Sequence, residues 1–168
     1  MLYSYKKDRE FISIVGQILD NEEFCKIKDI DHHGITRYDH SVKVAYFSYK
    51  IAKFLRLNYI SVAKAGLLHD FFLSNENRKQ KERILSTFTH PKKAVKKSDE
   101  VFGITELEAD IIKSHMFPVN LTIPKYAESW VVNFTDKVIG GYEFGIKFGG
   151  KLTYAANLYL LFIINFLR

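Results

Sequence analysis

The chain has 168 residues, 47% of them hydrophobic, and its 25 lysines and arginines against 19 aspartates and glutamates give a formal charge of +6. A chain of this length buries one compact core and leaves little room for another, so residues 1–168 are predicted to form a single domain. The apolar content excludes a disordered tail protein and a collagen-like repeat.

The basic side chains are 19 lysines and 6 arginines, scattered along the chain. Surfaces that bind nucleic acid more often cluster their charge and favour the bidentate arginine fork. We therefore expect a solvated, lysine-rich surface and no nucleic-acid partner. A weak positive field of this kind attracts small phosphorylated anions.

The N-terminal segment MLYSYKKDREF is charged and lacks the apolar core of a signal peptide. Cys25 is the single cysteine of the sequence, so the chain offers neither an internal disulfide nor a CxxC zinc knuckle. Both features indicate a reducing compartment, and we expect a cytoplasmic protein.

Few prolines interrupt the chain, and apolar residues recur at spacings of three and four, which predicts an all-α bundle. Predicted helices cover residues 7–20, 39–56, 59–73, 81–88, 91–101, 105–115, 125–142 and 151–167. Gly103 and the pair Gly140 and Gly141 are expected at helix ends, where glycine is common. Thr105 and Glu108 form a T-x-x-E capping box at a helix start.

Histidines and an aspartate fall on the apolar faces of these predicted helices. His40 heads a stripe that continues with Val44 and Phe47. The same spacing turns three further polar side chains inward: His69, His115 and Asp136. An ionised carboxylate on such a face needs a cation or a metal, or it is protonated.

Adjacent His69 and Asp70 stand within the apolar phrase AGLLHDFFL, where they displace core packing without an evident partner in the sequence. A single histidine of this kind is more often a hydrogen-bonded core or surface residue than a ligand. Several inward imidazoles and two aspartates, with few inward lysines or arginines, are explained together if a metal supplies the missing positive charge.

The phrase Thr89-His90-Pro91 predicts a helix that begins at Pro91, with His90 near its cap. The positive end of a helix disfavours an imidazolium ion at that position. A neutral imidazole is also the form that binds a metal.

The C-terminal phrase LYLLFIINFLR is densely apolar but short. A membrane span needs about 20 apolar residues, so we expect no span here. We predict instead that the helix over 151–167 closes the core. A homo-oligomer interface and a helix on a membrane surface remain the alternatives.

The order of these residues, H…HD…H…H…D, resembles the HD-domain superfamily of all-helical, metal-dependent phosphohydrolases. The phrases that carry the resemblance lie within about residues 30–142 and are TRYDHSVKVA, AGLLHDFF, THPKKAV, IIKSHMFP and VVNFTDKV. By this resemblance, one metal would be held by His40, His69, Asp70 and Asp136. His90 and His115 resemble the histidines that bring in a second metal, bridged by Asp70.

The resemblance implies a binuclear site with nitrogen and oxygen ligands, for which iron or manganese is the expected metal. Zinc, nickel, cobalt and magnesium remain open. In such a site, a hydroxide that bridges the metals attacks a phosphoester or phosphoanhydride bond while the cations neutralise the phosphoryl oxygens. The implied substrate is a nucleotide-like small molecule.

The resemblance also implies which side chains take part in catalysis. Asp70 would bridge the metals, and Asp136 would bind a metal and orient the hydroxide. His33, in the loop before His40, is a candidate outer acid or substrate contact, with a surface position as the alternative. Candidate substrate contacts begin close to the ligands, and each has a solvated side chain as its alternative: Arg37, Lys43, Lys113 and Lys137.

Two other functions stay open. Some HD proteins use a di-iron centre to activate oxygen and oxidise a C–H bond of the substrate. The third possibility is a metal-stabilised module that binds a nucleotide or a partner protein without catalysis. We set aside the HD-GYP phosphodiesterases, because Leu73 stands where they have a lysine and the sequence has no GYP phrase.

Overall fold

The structure is a computed structural model that describes residues 5–32, 35–73 and 80–148. Its helices are α1 (Arg9–Leu19), α2 (Glu22–Cys25), α3 (Arg37–Phe54), α4 (Tyr59–Leu68), α5 (Gln80–Phe102), α6 (Glu106–Ser114) and α7 (Ala127–Phe148). Short 3₁₀ helices cover Tyr5–Lys7 and Lys26–Asp29, and the two-residue strands β1 (Asp31–His32) and β2 (Ile35–Thr36) pair antiparallel. Apart from this short strand pair, the regular secondary structure of the described residues is helical, which confirms the predicted all-α class.

Helices α3 and α4 approach each other unusually closely. A Cβ placed on Gly66 of α4 would lie 3.0 Å from the Cα of Ala45 in α3. Because Gly66 has no side chain, the two backbones can come this near. The approach brings His40, in the first turn of α3, close to His69, directly after α4, with ring centroids 5.3 Å apart.

The apolar core between α1, α3 and α4 is rich in aromatic rings. Phe11 of α1 is fully buried and meets Tyr46 and Tyr49 of α3 at centroid distances of 5.1 and 5.3 Å. Helix α7 packs against α3, while α6 packs against α4 and α7. These contacts bring together the start of α3 and the ends of α4 and α6, each of which carries a predicted ligand.

The prediction of two separate helices over 81–88 and 91–101 is wrong, because the single helix α5 continues through Pro91. Pro91 removes one backbone hydrogen bond, but its φ is compatible with a helix. It shares a buried face of α5 with Ala94, and packing of that face outweighs the lost bond. His90 therefore lies inside a helix, and the predicted influence of a helix N-terminus on its charge does not apply.

The structure corrects one of the two predicted glycine helix ends and confirms the other. Gly140 and Gly141 lie inside α7, which continues because its inward face extends beyond them to the buried Glu143. Gly103 directly follows α5 with a φ of +62°, a conformation that favours glycine. The predicted capping box at the start of α6 is also present.

The helix predicted over 59–73 is shorter than expected, because α4 ends at Leu68 and the chain then turns inward. The helix predicted over 151–167, with its suggested interface, lies outside the described residues, as does His33. No helix within the described ranges is both long and apolar enough to cross a membrane.

A Gly66→Ala variant should lower the free energy of unfolding by about 1–3 kcal/mol, because its methyl group meets the backbone of Ala45. Gly140→Ala in α7 is the matched control. A Cβ at Gly140 meets nothing within 4 Å in the described chain, so alanine should raise that free energy by about 0.5–1 kcal/mol. Urea unfolding followed by circular dichroism measures both values, and equal effects would contradict the close approach of α3 and α4.

Candidate metal centre

The turn that follows α4 carries His69 and Asp70. Two backbone hydrogen bonds stabilise this turn: the N–H of Phe71 donates to the carbonyl of Leu68 at 3.0 Å, and the N–H of Phe72 donates to the carbonyl of Asp70 at 2.9 Å. His69 is fully buried, and Asp70 is 5% exposed. The tight turn therefore directs two adjacent polar side chains into the interior, which a continued helix would have sent in different directions.

Asp136 of α7 reaches the imidazoles of α3 and of this turn. Its Oδ1 lies 3.0 Å from Nε2 of His40 and 3.5 Å from Nε2 of His69. These three side chains offer ligand atoms that all lie within 4.8 Å of one another. They are close enough to share one cation.

Asp70 faces the remaining histidines. Its Oδ1 lies 3.3 Å from Nε2 of His90 and 3.7 Å from Nε2 of His115, whereas its Oδ2 lies 3.9 Å from Nε2 of His69. Ligand atoms of His69, Asp70 and His115 form a second group within 4.8 Å. All six residues predicted as metal ligands therefore lie in one cluster.

Backbone carbonyls select the tautomer of two of these rings. Nδ1 of His69 lies 2.8 Å from the carbonyl oxygen of Gly66, and Nδ1 of His115 lies 2.7 Å from that of Ile112. Because a carbonyl oxygen only accepts hydrogen bonds, each Nδ1 must carry the proton. In the neutral rings, Nε2 then presents its lone pair to the cluster, as a metal ligand requires.

Burial and neighbouring charges set the protonation of the cluster. Burial, together with the nearby imidazole of His69, lowers the pKa of His115 to about 3. Burial also disfavours the charged form of His40, but hydrogen bonds to Asp136 and Glu143 outweigh it and raise the pKa of His40 to about 10. The pairing with His40 likewise overcomes the effect of burial on Asp136 and holds its pKa well below the usual value. Asp136 is therefore ionised and His115 neutral at physiological pH.

Asn133 of α7 binds the backbone around His115. Its Nδ2 lies 3.2, 2.7 and 2.8 Å from the carbonyl oxygens of Ser114, His115 and Phe117. Nζ of Lys137 donates to the same carbonyl of His115 at 2.9 Å. These contacts hold the end of α6, and with it the ring of His115, against α7.

The ring of His90 packs on Phe72, with centroids 5.3 Å apart and 29° between the ring planes. The guanidinium group of Arg37 lies 4.0 Å from the centroid of Phe72, and its Nη1 donates to the carbonyl of Phe72 at 2.6 Å. Arg37, which the sequence predicts as a substrate contact, is only 7% exposed. The structure thus places it against the aromatic ring that borders His90.

Two of the lysines predicted to contact substrate are bonded within the protein. Nζ of Lys43 lies 2.7 Å from Oε1 of Glu143, while Nζ of Lys137 bonds to the backbone near His115. Burial lowers the pKa of Lys137. Lys113, by contrast, is exposed and lines an open groove.

Two residues of this centre were missed by the sequence prediction, namely Asn133 and Glu143. Glu143 is 4% exposed, and its Oε2 lies 2.8 Å from Nδ1 of His40. Asn133 precedes Asp136 by three residues and Glu143 follows it by seven, so all three share one face of α7. Both residues could have been found in the sequence by following the helical period from Asp136 in both directions along the chain.

A family model of the HD domain matches residues 37–140, more than half of the chain and a range that includes all six predicted ligands. The chain belongs to the HD-domain family. HD domains bind divalent metals and are in general metal-dependent phosphohydrolases. No curated protein and no solved structure matches the chain significantly.

The residues of this HD domain fit a divalent metal. They offer imidazole nitrogen and carboxylate oxygen, which iron, manganese and zinc all accept as ligands. Nε2 of His69 is buried and makes no hydrogen bond within the described part of the chain, although both aspartates lie near it. A cation at this point would engage that lone pair and balance the charge of the carboxylates.

An Asn133→Ala variant of this HD domain should lose about 1–3 kcal/mol of unfolding free energy, because three carbonyls around His115 each lose one hydrogen bond. Asn120→Ala is the matched control. Its Nδ2 makes a single exposed bond to the carbonyl of Lys113, so the loss should be below about 1 kcal/mol. Urea unfolding compares the two, and similar losses would show that the backbone at His115 does not depend on Asn133.

The affinity of the HD domain for Mn²⁺ should rise by about tenfold per pH unit between about pH 7 and 9. The pKa of His40 is raised to about 10, so its ring is protonated in this range and a metal at Nε2 must displace that proton. The pKa of His115 is lowered to about 3, so its ring is already neutral and releases no proton when a metal binds. Free Mn²⁺ measured by electron paramagnetic resonance gives the affinity. An affinity that is constant over this range would contradict a protonated His40 in the metal-free protein.

Proposed function

We propose that this HD domain is a phosphohydrolase that uses divalent metal to cleave a phosphoester or phosphoanhydride bond in a nucleotide-like small molecule. The observation that carries the proposal is the position of Asp70. Its Oδ1 faces His90 and His115, whereas its Oδ2 faces His69. A carboxylate whose two oxygens face separate sets of imidazoles suits a ligand shared by two cations.

The proposed centre holds two divalent cations, with iron or manganese as the preferred metals. His40, His69 and Asp136 would hold one ion, His90 and His115 the other, and Asp70 would contact both. When bound, the cations would neutralise charge on the phosphoryl oxygens and lower the pKa of water for attack.

Asp136 is proposed to orient the attacking water in addition to holding a metal. The low pKa of its carboxyl keeps it an acceptor of hydrogen bonds. The side chains of Asp136 and His90 are 14% and 10% exposed, whereas those of His69 and His115 are at most 1% exposed, so solvent reaches the cluster at Asp136 and at His90. A substrate phosphate would approach where these two side chains reach solvent. His33 stays a proposed outer acid on sequence grounds.

Lys113 is the proposed contact for the anionic part of the substrate. It lines an open groove together with Lys92, Val119 and Leu121, so that positive charge and apolar surface occur side by side. Such a combination suits a molecule that carries both a phosphate and a base. The bonds that Lys43 and Lys137 make within the protein favour a role in holding the centre.

The proposal is tested first by metal analysis and a hydrolysis assay. Protein purified without added chelator should contain about two iron or manganese atoms per chain and release phosphate from one or more nucleotides in a panel. Turnover that requires oxygen would contradict the proposal in favour of a di-iron oxygenase. Nucleotide binding without any turnover would contradict it in favour of a non-catalytic module.

An Asp70→Asn variant should lower kcat by at least about a thousandfold and reduce the bound metal, because it removes the charge placed between the two halves of the cluster. Asp110→Asn is the matched control. Asp110 is also buried, but its Oδ2 only accepts bonds from the N–H of Lys125 and the hydroxyl of Ser129, which an amide oxygen can accept as well. Metal content and phosphate release are measured for both. Full activity of Asp70→Asn would exclude the proposed role of Asp70.

A further inference from the structure

We propose that Glu143 is a positioning residue that holds the ring of His40 in the tautomer and orientation required for metal binding, and that Lys43 keeps Glu143 in place. The inference rests on the proposed metal centre. Glu143 lies beyond residues 37–140, the range that matches the HD domain.

The carboxylate of Glu143 connects two side chains of α3. Its Oε2 lies 2.8 Å from Nδ1 of His40, and its Oε1 lies 2.7 Å from Nζ of Lys43. Glu143 is 4% exposed and His40 is 1% exposed, so water does not compete effectively for these bonds. A buried carboxylate requires such partners, and both of them come from one helix.

His40 differs from His69 and His115 in the kind of group that its Nδ1 contacts. His69 and His115 directly follow their helices, and each bonds to the carbonyl of the residue three positions earlier. His40 lies in the first turn of α3, and its Nδ1 bonds instead to a side chain of α7. A carboxylate makes an imidazole a more basic metal ligand than a carbonyl does, and it imposes the same tautomer.

Helix α7 contacts both ends of the His40 ring. Asp136 lies 3.0 Å from Nε2, and Glu143, seven residues further along, lies 2.8 Å from Nδ1. Seven residues are nearly two helical turns, so both carboxylates project from the same face of α7. The ring is therefore fixed between a proposed metal ligand at one nitrogen and its positioning residue at the other.

Lys43 gives this arrangement its second anchor. It follows His40 by three residues on α3, so its side chain lies one turn away on the same face. The bond to Oε1 leaves Oε2 directed at the imidazole and balances the charge of the carboxylate. Lys43, which the sequence predicts as a phosphate contact, therefore binds the buried carboxylate of Glu143 instead.

The test measures Mn²⁺ affinity and thermal unfolding of the metal-free protein for four variants of the full chain. Glu143→Ala should weaken Mn²⁺ binding by about 10–100-fold. Glu143→Gln should also weaken it, because an amide that bonds to His40 through its oxygen turns its NH₂ group toward Lys43. Adding Lys43→Met to Glu143→Gln removes that opposing donor and should recover part of the affinity.

Glu128→Ala is the matched control on the same helix. Glu128 accepts a bond from the N–H of Asn58 and has no contact with the cluster, so its loss should leave Mn²⁺ affinity as in the unsubstituted protein. A purely structural role for Glu143 would lower thermal stability without the recovery by Lys43→Met. That pattern would overturn the inference, as would Mn²⁺ affinity in Glu143→Ala equal to that of the unsubstituted chain. If the unsubstituted chain binds neither Mn²⁺ nor Fe²⁺, the proposed function fails with it.

Discussion

A carboxylate among apolar side chains is stable only where its charge and its hydrogen bonds are matched by neighbouring groups. Asp70 is 5% exposed, and 14% of the side chain of Asp136 is exposed. Imidazole nitrogens lie 3.0 to 3.9 Å from the oxygens of these two aspartates. The helices of the bundle must end and turn where the rings can reach those oxygens, so the need to compensate two carboxylates shapes the whole centre.

Each ring is held by groups other than the two aspartates. Carbonyls at helix ends orient His69 and His115, the carboxylate of Glu143 orients His40, and the ring of Phe72 packs on His90. Groups held in this way lose little freedom when a cation binds, and so they form a pre-organised site. The close contact of α3 and α4 also contributes to this pre-organisation, because it sets the distance between the rings of His40 and His69.

Local signals in the sequence were reliable where no long-range packing opposed them. Gly103 ends α5 as expected, and the capping box at the start of α6 sets the phase that turns His115 inward. Local rules failed where packing was stronger. Pro91 does not start a helix and Gly140 does not end one, because the buried faces of α5 and α7 continue past them. The shorter α4 reflects the inward turn at the HD pair, which helical periodicity does not describe.

The sequence by itself indicated the helical class, because inward faces are a property of short segments, and the H…HD…H…H…D order supplied the six residues of the cluster through its resemblance to a known family. Only the tertiary structure decided what surrounds them. The partners of His40 and Lys43 on α7 lie 103 and 100 residues away in the chain. A lysine has a long flexible side chain, and whether it meets a phosphate or a carboxylate depends on which groups the fold brings within its reach.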